Sequence, residues 1–193
     1  MARTKEFDPD AALQSAVELF WQRGYEATSM ADLVAHLGIA RASLYATFGS
    51  KRELYAKAMD RYAEQHGPRI LEELSQPGPA LPAVRELIER FAEEAAHDES
   101  RRGCFVTNTA VELASHDPDA ARRVEQSWHS MEAALTSALM RARAQGELPA
   151  DRDPVALARL LLVLMQGMRV VGKVDAGAGL LRDAADQALS LLD

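Results

Sequence analysis

The chain carries a single cysteine, Cys104, in a chemically suggestive setting. The run Arg101-Arg102-Gly103-Cys104-Phe105 puts the thiol at the start of a helical pattern, beside two guanidiniums. A helix N-terminus and neighbouring cations both favour the thiolate, the form that reacts with electrophiles and oxidants. Cys104, Asn108 and Glu112 recur every fourth residue, so they share one polar stripe on a largely apolar helix. Such a stripe lines a cavity or forms a buried hydrogen-bond network. Three roles for Cys104 stand side by side: a reactive sensor, an unreactive wall of a binding pocket, and a small buried hydrophobe. An enzyme using Cys104 as nucleophile needs a histidine base at hydrogen-bond distance, with His116 and His129 as candidates. His97, His116 and His129 lack metal-ligand spacing, and neither a metal nor a cofactor is expected.

A second stretch that carries chemistry runs from Thr28 to Lys51, TSMADLVAHLGIARASLYATFGSK. Met30, Leu33, Val34 and Leu37 fall at helical spacing, Gly38 suits a tight turn, and Leu44 and Phe48 give a second short helix its buried side. Two helices meeting at a glycine turn predict a helix-turn-helix whose second helix enters the DNA major groove. Its outer faces offer Arg41, Ala42, Ser43, Tyr45, Ala46 and Thr47. Arg41, Ser43 and Thr47 are expected near base edges, Tyr45 on phosphate, and Ala46 with Thr47 near a thymine methyl. Thr28 and Ser29, capping the first of these helices, and Lys51, opening the next, are further phosphate candidates. An enzyme built on Cys104 leaves this stretch without a purpose.

Residues 38–51, GIARASLYATFGSK, with their core Leu44-Tyr45-x-x-Phe48 followed by Ser50-Lys51, resemble the DNA-binding signature of the TetR family of one-component bacterial regulators. Two positions depart from the pattern. Ala40 stands where a capping Ser or Thr is usual, and Val34 where a smaller residue is common. Residues 103–112, Gly-Cys-Phe-Val-x-Asn-x-Ala-x-Glu, resemble helix six of the branch that includes the N-ethylmaleimide reductase repressor, an electrophile-responsive regulator. The resemblance implies a homodimeric repressor that leaves double-stranded operator DNA when a small apolar or electrophilic effector meets the body. A helix-turn-helix regulator with no effector remains the alternative within this class.

The elements that must position these residues read as all-α: an N-terminal three-helix head, residues 1–51, and a helical effector and dimerisation body, residues 52–193, with about nine helices in all. Asp8-Pro9, Asp117-Pro118 and Asp153-Pro154 each read as a capping Asp before a first-turn Pro, and Ser29…Asp32 and Ser50…Glu53 as capping boxes. Pro68 is expected to kink or break the fourth helix. Tyr62, Phe105, Trp128, Met131 and Met165, with Cys104, Asn108 and Glu112, are the candidate effector-site residues. The eighth helix is apolar nearly all round from Val155 to Val171, which calls for burial on every side. Leu157, Leu161, Leu164 and Met168, with Leu181 and Leu189 of the last helix, are the candidate dimer contacts; the family resemblance implies a four-helix interface there.

The net charge of −7 gives no support for DNA binding, which therefore rests on the motif and on local cations, Arg3 and Lys5 of the N-terminal arm among them. A lone cysteine excludes an intrachain disulfide. MARTKEFDPD holds no apolar signal core, and Leu160 to Met165 is shorter than the ~20 residues of a membrane span. A cytoplasmic protein without a membrane partner is expected.

Overall fold

Helix starts set the architecture. In the computed structural model, which describes residues 7–174 and 178–193, Asp8, Asp117 and Asp153 each accept a backbone N–H two residues on, with Pro at the first helical position. They open α1 (Pro9–Arg23), α7 (Pro118–Ala144) and α8 (Pro154–Val171). Both predicted capping boxes form, Ser29 with Asp32 opening α2 (Met30–Leu37) and Ser50 with Glu53 opening α4 (Lys51–Ser75). The remaining helices are α3 (Arg41–Phe48), α5 (Ala80–Ala96), α6 (Phe105–Glu112) and α9 (Ala178–Ser190). Among the described residues all regular structure is helical. Arg3 and Lys5, and residues 175–177 of the connection before α9, lie outside the described residues.

Pro68 does not break α4, which runs unbroken from Lys51 to Ser75. The ring removes a single backbone donor, and packing of α4 against α1, α5 and α7 holds the helix on both sides of it. Cys104 is the residue before α6 rather than part of its first turn.

Two apolar cores divide the molecule. The first joins Phe20 of α1, Leu33 of α2 and Leu44 and Phe48 of α3 to the first half of α4, and continues through Phe105 into Val124 of α7. The second is built from α5, α7, α8 and α9, around Ile88, Leu139, Leu161 and Met165. The head core is therefore completed by α6 and the start of α7, so the head leans on the body through side chains. By length and composition alone α8 matches a membrane span, with a mean hydropathy of 1.6 over Pro154–Val171. That window is longer than the Leu160–Met165 run. Its packing against α5, α6, α7 and α9 marks it instead as a core helix of the bundle.

At the junction Asp117 accepts two bonds from Arg52, at 2.9 and 2.7 Å, while capping Asp119 and Ala120. The Arg52 guanidinium, helped by the capped backbone amides, holds the Asp117 carboxyl below the usual aspartate range. A carboxyl depressed in the folded state stabilises the fold above its unfolded value of about 4, and that contribution is lost as pH falls through the lower folded value. Asp117→Asn keeps the cap and removes the charge. It is expected to cost less than about 1 kcal/mol at pH 7. In urea unfolding between pH 5 and pH 2 the variant should lose stability less steeply than the parent.

Candidate nucleic-acid interface and effector cavity

The α2–α3 angle is set by Gly38, in the left-handed region at φ 65° and ψ 24°, and by the buried Ile39 behind it. Leu44 and Phe48 turn inward, so α3 shows Arg41, Ala42, Tyr45 and Ala46 to solvent, with Ser43 and Thr47 half-buried beside them. The Arg41 guanidinium lies 5.8 Å from the Tyr45 ring centre, so the two form one cationic and aromatic surface. Ala40 gives α3 no side-chain cap, an omission worth about 1 kcal/mol of helix stability. Ser29 is exposed at the start of α2.

Two of the phosphate candidates are turned inward. Thr28 is fully buried, and its hydroxyl donates to the Gly24 carbonyl at 2.7 Å. Lys51 donates to the Tyr25 carbonyl at 3.0 Å with its ammonium 3.9 Å over the Tyr25 ring. Both hold the α1–α2 connection, a role that needs a partner distant in sequence or a local turn-back.

In the body, a cavity of about 750 Å³ opens beside Gly67 and Pro68 of α4. Of the candidate effector residues Tyr62, Cys104, Trp128 and Met131 line it, joined by His66, Phe91 and Arg169. The Tyr62 hydroxyl donates to Cys104 Sγ at 3.8 Å, and burial pushes that hydroxyl far up from the usual tyrosine range, so it stays a donor. The Trp128 indole nitrogen is buried without a partner, which costs ~1–3 kcal/mol wherever it is left so.

Phe105, Asn108, Glu112 and Met165 do not line the cavity. Phe105 and Met165 fill the first and second cores. Asn108 donates to the Arg102 carbonyl and accepts from Lys173. Glu112 reaches the opposite way, to the head, and accepts from the backbone N–H of Tyr25 at 3.0 Å and of Glu26 at 2.8 Å. A Cβ on Gly24 would lie 2.9 Å from that carboxylate. At the other end of α6, Trp21 donates from its indole to the Gly103 carbonyl at 3.0 Å, and Arg102 covers the same ring at 4.3 Å. The Cys104–Asn108–Glu112 stripe is thus a seam between cavity, body and head. His116 pairs with Ser115, and His129 lies in a surface depression with Glu132 and Arg159. The hydrogen bond seen at the thiol comes from a phenol.

Residues 12–58 match the bacterial regulatory proteins of the tetR family, and residues 80–188 the tetracyclin repressor-like C-terminal domain. The chain is 40% identical to the HTH-type transcriptional regulator YezE of Bacillus subtilis, across 100% of both. It belongs to the TetR family. The HTH-type transcriptional repressor ComR of Escherichia coli is 33% identical over 98% of this chain and 90% of its own. The TetR family regulator CifR, as a cysteine mutant complexed with 26-bp double-strand operator DNA, superposes with a TM-score of 0.86 at 30% identity, covering 100% of both chains. The all-α architecture and the helix-turn-helix head are those of a TetR-type DNA-binding transcriptional regulator.

In this TetR chain most of the candidate dimer contacts are turned into the subunit's own core. Leu157, Leu161, Met168, Leu181 and Leu189 are buried within the subunit, and Leu164 is partly buried against its core. The exposed apolar stripe of α8 is Leu160, Val163 and Val170, with Gly167 among them, and Leu180 of α9 and Leu191 just past its end are exposed too. A helix apolar all round does not show in its periodicity which side its own subunit covers.

Removal of the carboxylate in Glu112→Ala leaves the Tyr25 and Glu26 amides to solvent. Hydrogen bonds to a charged group contribute ~1.5–3 kcal/mol. Thermal unfolding should show a loss in that range, and Gly24→Ala, which puts a methyl against the same carboxylate, should also destabilise the protein.

Proposed function

We propose that the protein is a homodimeric repressor that a small apolar or electrophilic molecule releases from its operator. Support for the first half comes from the exposed Arg41–Tyr45 surface on α3, from the operator complex of CifR, and from the repressor ComR among its relatives. The observation that carries the second half is the seam along α6. One end of that helix bears Cys104 in the cavity wall, and both ends are bonded to the head, through Trp21 and through Tyr25 and Glu26.

The route is short. A ligand filling the cavity, or an adduct on Cys104, presses on Tyr62, whose ring meets Trp21 edge-on at 5.0 Å. Trp21 closes α1, and the α1–α2 connection sets the entry of α2. Two recognition helices must stand about one DNA turn apart, ~34–36 Å, so a small tilt of each head mismatches both half-sites at once. Arg41, Ser43 and Thr47 serve base edges and Tyr45 phosphate. Ser29 offers its helix N-terminus to a second phosphate. Domain roles divide at residue 51, with α4 as the connecting rod. Leu160, Val163 and Val170 meet their copies across a two-fold axis. As a DNA-binding regulator of this kind the protein acts in the cytoplasm, without metal or cofactor.

The test is selection from a random duplex library with the purified protein. A recovered two-fold symmetric site is expected, and Arg41→Ala should lower affinity for it by ~1–3 kcal/mol while relaxing selectivity at one base position. Absence of any sequence preference overturns the reading. Electrophile-driven release that disappears in Cys104→Ser marks the covalent route. Release that persists there marks non-covalent occupancy.

For the dimer, Val163→Glu sets a charge in the exposed α8 stripe without disturbing the subunit core. Analytical ultracentrifugation should show the parent as a dimer at micromolar concentration and the variant as a folded monomer with weakened operator binding. A monomeric parent would remove α8 and α9 from the interface.

A further inference from the structure

The part of the cavity wall that α8 contributes carries two donor groups that the fold leaves open. Gln166 and Arg169 stand three residues apart, so they are neighbours on one helix face, and both line the cavity. Gln166 accepts from the Thr107 hydroxyl at 2.7 Å through Oε1, which fixes its amide plane. Arg169 gives one nitrogen, Nη2, to Glu94 at 2.6 Å, and its guanidinium lies 4.4 Å over the Phe91 ring. Among the described residues, Gln166 Nε2 and Arg169 Nε and Nη1 have no hydrogen-bond partner, and none of the three is buried.

The charge balance around Arg169 favours an anion. Arg69 and Arg90 both pair with Glu73, at 2.9 and 2.5 Å, and Arg90 and Arg169 both face Glu94, at 3.7 and 2.6 Å. This chain of side chains across α4, α5 and α8 sets three guanidiniums against two carboxylates. Arg69, at one end, is 68% exposed and screened by water, whereas Arg169, at the other, is only 20% exposed. A charge there acts through a lower dielectric. Arg123, elsewhere on the lining, is matched one to one by Asp60 at 2.8 Å. Glu64, Gln126 and Ser127, which also have no partner, belong to α4 and α7. The Glu64 carboxylate is the competing attraction, for a cation, but it is exposed and its pull is screened.

We propose that the cavity binds an apolar monocarboxylate, its carboxylate held by Arg169 and Gln166 and its hydrocarbon body laid against Phe91, Trp128 and Met131. This rests on the cavity being the effector site, and it names the class of ligand that the site takes. A carboxylate accepts from both side chains at once, and Glu94 stays in place because Arg169 meets it through a different nitrogen. The stack on Phe91 and the bond from Thr107 hold the two donors ready before the ligand arrives. The volume of about 750 Å³ falls within the ordinary range for small-molecule sites.

Three probes with one aromatic body separate the charge types: 2-naphthoate, 2-naphthamide and 2-naphthylmethylamine, which is an ammonium ion at neutral pH. None alkylates a thiol, so Cys104 chemistry does not enter. Isothermal titration of the full-length protein without DNA should show 2-naphthoate binding at least about tenfold more tightly than the amide, the worth of a hydrogen bond to a charged group. The amine should bind more weakly than 2-naphthoate. Arg169→Gln should bring 2-naphthoate down to the level of the amide and leave the amide within about threefold. Gln166→Leu should cut the preference about threefold, the worth of one neutral hydrogen bond. Near-ultraviolet dichroism checks that each variant is folded, and Gln166→Leu decides alone if Arg169→Gln is not. Equal binding of carboxylate and amide in the parent overturns the proposal. So does tighter binding of the amine, a preference undiminished in the folded variants, or no binding of any probe. Failure here with a sequence-selective operator recovered leaves the regulator intact and rejects only the ligand class. A carboxylate preference without operator selectivity does the reverse.

Discussion

One carboxylate holds head and body in register. Glu112 lies at the last turn of α6 and fills the orphan donors of two consecutive backbone amides, Tyr25 and Glu26, just past the end of α1. It fits because Gly24, at φ 85°, has no side chain where the carboxylate sits. The amides belong to the connection that feeds α2, so the height of the helix-turn-helix above the body is fixed at that point. Lys51 and Thr28 brace the same connection from the inside. The buried Tyr55 hydroxyl ties α4 to Thr109 of α6 at 2.8 Å. Moving α6 without moving the head would leave several of these donors unpaired together, which is what makes the junction stiff.

Local rules wrote most of the fold into the sequence. Asp-Pro starts and serine capping boxes are decided within four residues, and all five appear where periodicity and composition place them. The exposed and buried sides of α3 follow from Leu44 and Phe48 alone. What could not be read depends on partners far along the chain. Glu112 and Tyr25 are separated by 87 residues, and nothing in the 103–112 stripe says that its two ends face different ways. Lys51 reads as a solvent-facing cation at a helix start until Tyr25 is seen beneath it. Pro68 reads as a breaker because its cost is local, whereas the contacts that keep α4 continuous are not. On α8 the apolar pattern is saturated, so only the bundle decides which leucines are core.

The uncapped helices are also informative. α3 and α6 begin at Ala40 and Cys104, neither of which makes a side-chain cap. α5 begins at Pro79 but receives Gln145 and Glu147 from beyond α7 in place of a cap. At the start of α6 the Gly103 and Arg102 carbonyls accept from Trp21 and Asn108 instead.

The chain has two tryptophans, and they stand in different settings. Trp128 forms part of the cavity wall, while Trp21 is clasped between Tyr62, Arg102 and the Gly103 carbonyl where body meets head. Indole emission responds to the polarity and hydrogen bonding around each ring. The molecule therefore contains one native optical reporter in the cavity wall and another at the junction of head and body, and replacing either ring isolates the emission of the other, with no dye attached.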